Sequence, residues 1–297
     1  MVCGPTGGVA VADVSEQWPV VRDVLSEVTG RFADLVRSAE PSALATPDWT
    51  VADTAAHVVA IASIYTTLLA PDGAEVADPV LAARIPAVTV DTVADLNDLA
   101  LRRFTERDPA TLAATLRSMV ATILETTAGT DPDRTVPWLG DSRVPVAGVL
   151  AHLVNEQLVH GWDIARGVGA PWPIPAREAA VFFELFIVGM IRNDTGGVLG
   201  DVPTGDRRIA VAFRSRHTTP RTLVLHRGRV SLDPDGPVDV RLTFDPAVLN
   251  LVLFGRVSRT RAALTGKLRV TGRRPWLLPA FLCTVRLPTN AVPLSTD

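Results

Sequence analysis

The sequence predicts an N-terminal helical bundle followed by a smaller α+β domain. Apolar residues recur at intervals of three and four from residue 11 to about residue 192, which is typical of amphipathic helices. After residues 193–197, Asn-Asp-Thr-Gly-Gly, the chain changes to short segments that alternate or cluster β-forming residues. The 297 residues are enough for two separate cores. We therefore predict two domains, at residues 11–195 and 200–290.

Five helical segments are expected in the first domain, and their boundaries have local causes. Thr50 and Asp53 have the spacing of a capping box, and Asp108-Pro109 interrupts the third segment. Pro145 suits the first position of the fourth helix. The predicted segments are residues 15–39, 50–69, 91–127, 144–166 and 176–191. Such helices, joined antiparallel, form a bundle whose interior is a common place for metal sites.

The second domain is predicted from short β-rich segments. Residues 208–213, 222–226 and 238–244 have the composition of strands, and residues 226–229, His-Arg-Gly-Arg, are typical of a hairpin turn. Asp245-Pro246 begins an apolar helix, residues 268–270 resemble a strand, and residues 276–282 predict a final helix. Strands followed by helices in this proportion indicate an α+β domain.

The composition is that of a soluble globular protein and excludes several classes. The chain is 47% hydrophobic and 21% charged with a net charge of −3, so collagen-like and disordered chains are excluded. All but one of its 29 basic residues are arginines, and their dispersal argues against a nucleic-acid surface. Two distant cysteines, no signal peptide and no apolar run of about 20 residues predict a cytoplasmic protein without a membrane span.

The histidines carry the clearest chemical signal. His152, Glu156 and His160 are four residues apart, so on a helix each is rotated by about 40° around the axis from the one before, and the three share one stripe. Asp163, three residues after His160, lies on the same stripe. The other faces of this helix are apolar: Val149, Leu150, Leu153, Val154 and Leu158. The stripe can therefore point into the bundle, where imidazoles and a carboxylate are costly to bury unless they are paired or bind a metal.

His57, on another apolar helix, completes a candidate metal site. Asp53, four residues earlier, is a candidate partner for its second ring nitrogen. His57, Glu156 and His160 together offer two nitrogens and one oxygen and leave one position open, as in catalytic zinc sites. The plainer alternatives are a hydrogen-bonded Glu/His pair between helices and a satisfied core histidine. No activated protein nucleophile is evident, because neither cysteine has a histidine nearby in sequence and no nucleophile-elbow motif is present.

Two segments resemble a known family. Residues 49–57 resemble the Trp-Thr-Val-x-Asp-x-x-x-His signature of the mycothiol-dependent maleylpyruvate isomerase family, and residues 156–163 resemble its Glu-x-x-x-His-x-x-Asp signature. This resemblance implies a DinB-like four-helix metal-binding bundle followed by a sterol-carrier-like α+β domain. Residues 238–246 and 268–272 resemble the second domain less specifically.

The resemblance also implies a set of site residues. The family's zinc ligands fall on His57, Glu156 and His160. From their spacing, and not from the family, we infer that Asp53, His152 and Asp163 support these ligands, with His152 either beside them or competing with them. The isomerases of this family also depend on an arginine of the C-terminal domain, for which the sequence leaves four candidates: Arg214, Arg216, Arg221 and Arg241.

The sequence thus predicts an enzyme that holds Zn²⁺ or another divalent metal and borrows its nucleophile from a small-molecule thiol, mycothiol by resemblance. Its partners would be that thiol and an electrophilic substrate, and the reaction would be an isomerisation or a thiol transfer. The first alternative is a non-catalytic carrier of a small apolar ligand with a structural metal. The second is a plain bundle with an internally hydrogen-bonded polar stripe.

Overall fold

The computed structural model describes residues 14–71, 76, 78–200, 206–233 and 235–287. Cys3 and the outer ends of the predicted domains, residues 11–13 and 288–290, lie outside this range. Residues 14–193 are mainly helical, and residues 209–284 form a sheet with short helices. The predicted fold class is therefore confirmed, while the division into residues 11–195 and 200–290 stays a prediction.

The helical part contains eight α-helical segments and one short hairpin. The helices are α1 (Val14–Ser38), α2 (Val51–Leu68), α3 (Pro79–Arg84), α4 (Val93–Arg103), α5 (Pro109–Thr126), α6 (Val146–Val168), α7 (Ala176–Val181) and α8 (Val188–Asn193). The hairpin pairs β1 (Thr135–Pro137) with β2 (Arg143–Pro145). The sequence did not predict α3 or the hairpin, because elements this short show no hydrophobic period.

Local chemistry explains where the main helices begin. The capping box predicted for α2 is confirmed, since Thr50 and Asp53 exchange side-chain and backbone hydrogen bonds. Asp108 caps α5 through the Thr111 amide, which confirms the break before Pro109. Pro145 directly precedes α6 instead of occupying its first position.

The segment predicted as one helix over residues 176–191 is continuous but not uniform. Residues Phe182–Ile187 form a π-helical turn between α7 and α8. Such turns shift the register of side chains along a helix. Within this turn Phe182 and Phe186 pack in the bundle, and Phe183 packs against the sheet.

Helix α6 is the central element of the bundle. It packs against α1, α2 and the π-helical turn, while α5 contacts α1 and α2. Nearly all of its residues are buried, including the polar stripe. Close packing around it favours glycine: a side chain at Gly148 would meet the Leu185 carbonyl, and one at Gly161 would meet the Trp172 ring. The polar stripe therefore lies inside the bundle, as the sequence predicted.

The C-terminal part is built on a five-stranded sheet of order β5-β4-β3-β6-β7. Its elements are β3 (Ile209–Arg214), β4 (Arg221–His226), β5 (Arg229–Leu232), β6 (Val240–Phe244), α9 (Pro246–Leu253), α10 (Arg259–Leu264), β7 (Leu268–Gly272) and α11 (Leu278–Thr284). β3 and β6 run parallel, and the other pairs are antiparallel. The predicted hairpin turn is confirmed: Arg227 and Gly228, both with positive φ, connect β4 to β5.

The two parts share the segment from α7 to α8. Phe183 lies 5.3 Å, ring centre to ring centre, from both Phe213 and Phe244 of the sheet. On the other side, the Phe182 and Phe186 rings stack at 5.1 Å within the bundle. The prediction that this apolar helix lies against the bundle or at the junction is thereby confirmed.

One described helix, α2, has the length and apolar character that a membrane span requires. Its window of 18 residues is 61% buried inside the protein. Core helices of soluble proteins meet the same criteria, so this feature by itself is weak evidence for a span.

Candidate metal centre

The structure brings His57, Glu156 and His160 together in the bundle interior. Glu156 and His160 are one turn apart on α6, and His57 faces them from α2. Glu156 Oε2 lies 3.3 Å from His160 Nε2 and 3.6 Å from His57 Nε2. One ligand atom from each residue lies within 4.8 Å of the other two, and all three residues are buried.

These separations suit one small divalent ion. Ligands about 2.0–2.1 Å from a tetrahedral zinc are separated from one another by about 3.3 Å. The two distances from Glu156 Oε2, 3.3 and 3.6 Å, are close to this value. A buried imidazole and a carboxylate with their acceptor atoms facing each other need either a proton or a cation between them. The donor set therefore fits a metal held by three side chains.

Asp163 and Arg256 support the outer side of His160. Asp163 Oδ2 lies 3.2 Å from His160 Nδ1, so an ionised Asp163 accepts a hydrogen bond from Nδ1–H and leaves Nε2 free as a ligand. Arg256, in the turn after α9, donates to both Asp163 oxygens at 3.1 and 2.7 Å. The C-terminal part thus neutralises a carboxylate of the bundle.

Two arginines of the described C-terminal part, Arg256 and Arg286, line the cavity beside this site. None of the four arginines named from the sequence lines the cavity at this site, whereas Arg256 does. The signal in the sequence was weak: Gly255, with a φ of 73°, ends α9 and turns the chain back toward the bundle. A glycine after a predicted helix marks such a turn, but it does not reveal what the next side chain will meet.

His152 takes part in a buried hydrogen-bond chain behind Glu156. Trp138 Nε1 donates to the Tyr65 hydroxyl at 3.0 Å, and that hydroxyl lies 3.0 Å from His152 Nδ1. An indole nitrogen can only donate, so the phenol hydrogen is free, and its donation to His152 Nδ1 is the arrangement that gives every polar hydrogen of this hydrogen-bond chain an acceptor. The remaining ring hydrogen of a neutral His152 then lies on Nε2, 3.5 Å from Glu156 Oε1. His152 therefore stands beside the ligand set and directs the second carboxylate oxygen.

Asp53 does not serve the role expected from the sequence. Its carboxylate accepts from the Thr50 amide and hydroxyl at 3.2 and 2.7 Å and from Arg107 Nε at 2.8 Å. Both oxygens are thereby engaged at the start of α2, away from the His57 ring. The four-residue spacing placed Asp53 and His57 on one face of the helix, but the capping box determined where the carboxylate points.

Burial and pairing move the pKa values in opposite directions within the site. Burial lowers the pKa of His57 and of His152 below the ordinary value, only partly opposed by Glu156. Burial would also lower the pKa of His160, but hydrogen bonds to Asp163 and Glu156 raise it overall. Burial disfavours the Glu156 carboxylate, yet the hydrogen bonds of His160 and His57 hold its pKa well below the ordinary value. The carboxylate is therefore ionised and ready to bind a cation.

The site lies on the wall of a cavity of about 610 Å³ between the two parts of the protein. His57, His152, Glu156 and His160 line it from the bundle. Phe254, Arg256, Arg286 and Leu287 line it from the C-terminal part. The metal centre thus has room beside it for further ligands, as a reactive site requires.

Comparison with known proteins places the bundle in a family. Residues 22–165 match the family model described as Mycothiol maleylpyruvate isomerase N-terminal domain, a range that includes all three candidate ligands. No curated protein matches the chain.

Three solved structures are similar to the chain. The crystal structure of the mycothiol-dependent maleylpyruvate isomerase is 14% identical over 85% of this chain and 92% of that chain, with a TM-score of 0.49. A histidine-to-alanine mutant of that isomerase is 13% identical over 87% and 93%, with a TM-score of 0.48. Apo Sterol Carrier Protein 2 from Yarrowia lipolytica is 21% identical over 30% and 85%, with a TM-score of 0.22. Residues 22–165 of this chain are therefore a member of the mycothiol maleylpyruvate isomerase N-terminal domain family.

Proposed function

We propose that this protein is a zinc-dependent enzyme that uses mycothiol to act on an electrophile, by isomerisation or by thiol transfer. The observation that carries the proposal is the buried set of His57, Glu156 and His160 on the wall of a cavity. Three protein ligands with one open position are the arrangement of catalytic zinc sites, whereas structural zinc sites are closed by four protein ligands. Other divalent metals accept the same donors, and zinc is preferred because two imidazoles and a carboxylate with one open position are a common ligand set of catalytic zinc.

The chemistry needs a thiolate, and the described residues supply none at the site. Cys283, the cysteine within the described range, is exposed and does not line the cavity. A divalent metal in the site would lower the pKa of a bound thiol and hold it as the nucleophile that adds to an electrophilic double bond. Isomerisation would follow if the thiol left again after bond rotation, and transfer would follow if it stayed.

The residues of this chain position the ligands and limit the access of water. Asp163 fixes the tautomer of His160 through Nδ1, and Arg256 neutralises Asp163. His152 directs one oxygen of Glu156 away from His57 and His160, which leaves the other oxygen, Oε2, facing them. Phe254 and Leu287 cover the cavity from the C-terminal side.

The carrier alternative receives less support from the packing. A carrier of the sterol-carrier type would hold its ligand in the second domain. The sheet core is instead filled by aromatic rings: Phe183, Phe213, Phe244 and Phe281 have neighbouring ring centres 5.3–6.3 Å apart. Among the described residues, none from β3–β7 lines the cavity at the metal centre.

Metal analysis separates the metal-dependent proposals from a plain hydrogen-bonded bundle. Elemental analysis of the purified protein should find stoichiometric zinc, and His57→Ala and Glu156→Ala should lose it. His226→Ala, at an exposed position at the end of β4, is the matched control and should retain it. Absence of zinc from the wild-type protein after metal reconstitution would favour the plain bundle.

A thiol-dependence assay then separates the enzyme from the carrier. The zinc-loaded protein is mixed with mycothiol and either maleylpyruvate or a generic conjugated electrophile, and the products are followed by NMR. A change of double-bond geometry without thiol consumption indicates an isomerase, and a stable thiol adduct indicates a transferase. If no electrophile reacts faster with thiol and protein together than with thiol alone, the carrier is favoured.

A further inference from the structure

The wall of the cavity is polar at the metal centre and apolar along most of its length. Along α2 the lining begins at His57 and continues with Ile61, Ile64 and Leu68, which recur at helical spacing. At 1.5 Å per residue this stripe extends about 16 Å along the helix. The three aliphatic side chains are half-buried, so they present surface to the cavity.

Aromatic rings form a second wall near the metal centre. Phe186 packs 4.7 Å from the His152 ring and 5.0 Å from Trp138, between ring centres. Phe182 continues this wall to Phe254, at 5.8 Å. All four aromatic side chains line the cavity, and His152 joins them to the ligand Glu156. A flat apolar group placed here would lie directly beside the reacting centre.

The cationic side chains of the lining are largely neutralised by the protein itself. Of the three arginines that line the cavity, Arg256 is bound to Asp163 and Arg286 donates to Asp91 at 2.6 Å. Arg134 is the third, and within the described part of the chain it has no carboxylate partner. Apart from a metal held by the three candidate ligands, the cavity thus offers one unpaired guanidinium, enough for a single carboxylate, and a small dianion would leave most of the apolar wall unused.

We propose that the electrophile is a molecule with a large apolar body, such as an aryl-substituted conjugated ketone with at most one carboxylate, and not a small dicarboxylate. This inference rests on the proposed function in so far as the ligand is an electrophile, but the preference for an apolar body follows from the cavity alone. The reacting double bond would lie near the metal centre, with the apolar body along the α2 stripe. Burial of that body would supply most of the binding free energy.

Equilibrium binding without thiol tests the preference. Zinc-loaded protein is titrated with benzylideneacetone, an aryl enone, and separately with maleate, a small dicarboxylate, by isothermal titration calorimetry. We expect benzylideneacetone to bind at least about 10-fold more tightly than maleate, because it buries an aryl ring that maleate lacks. Equal or tighter binding of maleate would overturn the proposal.

Two variants of the stripe locate the binding. Ile64→Asn and Leu68→Asn place an amide in the apolar wall at half-buried positions, and each should weaken benzylideneacetone at least about 10-fold without changing the zinc content. Leu264→Asn, at a position 84% exposed on α10, is the matched control and should bind as the wild type does. Two folded variants with unchanged affinity would show that the body binds elsewhere and would refute the proposal.

The same experiment distinguishes failure of this inference from failure of the proposed function. Tight binding of the enone that depends on Ile64 and Leu68, with no thiol-dependent reaction, would uphold the apolar ligand class and reject the enzyme. A thiol-dependent reaction that prefers maleylpyruvate over aryl enones, together with tighter binding of maleate, would uphold the enzyme and reject the apolar class.

Discussion

Removal of one hydroxyl, in Tyr65→Phe, should weaken the metal centre although Tyr65 is not a ligand. The hydroxyl stands between Trp138 Nε1 and His152 Nδ1, each 3.0 Å away, and Tyr65 is 4% exposed. Burial raises the pKa of the phenol, so its hydrogen is present to be donated. Without it, His152 can adopt the other tautomer and present a lone pair, in place of an N–H, to Glu156.

The expected magnitude follows from the groups left without partners. Trp138 Nε1–H and His152 Nδ1 each lose a hydrogen bond in a buried place, at a cost of about 1–3 kcal/mol apiece. The free energy of unfolding should therefore fall by about 2 kcal/mol or more. Loss of an outer partner of a metal-binding carboxylate typically weakens affinity 10- to 100-fold. Because Tyr65 acts through His152, we expect a loss near 10-fold for Tyr65→Phe and a larger one for His152→Ala.

Two measurements separate the effect on the metal from the effect on folding. Chelator competition gives the zinc affinity, and urea unfolding of the metal-free protein gives the stability. Thr66→Val is the matched control, because it removes a hydroxyl that bonds the Ala62 carbonyl on the same helix, outside the chain to Glu156. Unchanged zinc affinity of a folded Tyr65→Phe protein would refute the assigned direction of these hydrogen bonds.

Three further predictions concern pH, capping and packing. Because the pKa of His160 is raised, protons compete with the metal for this residue from a higher pH than at an ordinary histidine, and zinc affinity should fall on acidification. Asp163→Asn removes one cause of the raised pKa, so the fall in zinc affinity, followed by chelator titration, should move to lower pH. An unmoved midpoint would contradict the pairing of His160 with Asp163. Thr50→Ala removes the α2 cap and should lower the free energy of urea unfolding by about 1 kcal/mol, and no change would show that the cap is dispensable. Gly161→Ala should cost about 1–3 kcal/mol and alter Trp172 fluorescence, because the new methyl group overlaps that ring; a fully stable variant with unchanged emission would contradict the close packing.

The sequence predicted best what depends on spacing within one helix. The four-residue intervals of His152, Glu156 and His160 require a shared face wherever a helix of this length forms. The burial of that face could be inferred from the apolar residues around it. The direction of the Asp53 carboxylate could not be inferred from spacing in the same way, because it can either pair with His57 or form the capping box with Thr50. Thr50 is nearer in sequence, and the capping box forms.

What the sequence missed depends on contacts between distant segments. Tyr65 lay within the predicted apolar helix of residues 50–69, and Trp138 lay outside every predicted segment. Their polar atoms gained a role when the hairpin placed the indole beside α2. Arg256 is 93 residues from Asp163, so no periodic pattern links them. Each of these side chains combines an apolar packing surface with directional polar atoms, and its sequence context does not reveal the partners of those atoms.

The pairing of Asp163 with Arg256 gives the C-terminal part a role at the metal centre beyond covering the cavity. Asp163 is 4% exposed and must stay ionised to hold the Nδ1 proton of His160. A buried carboxylate without a cation would raise its own pKa and become neutral. Burial does act this way on Asp163, but the hydrogen bonds of His160 and Arg256 keep its pKa below the ordinary value. The bundle supplies the ligands, and the second part supplies the charge that keeps one of them in its binding tautomer.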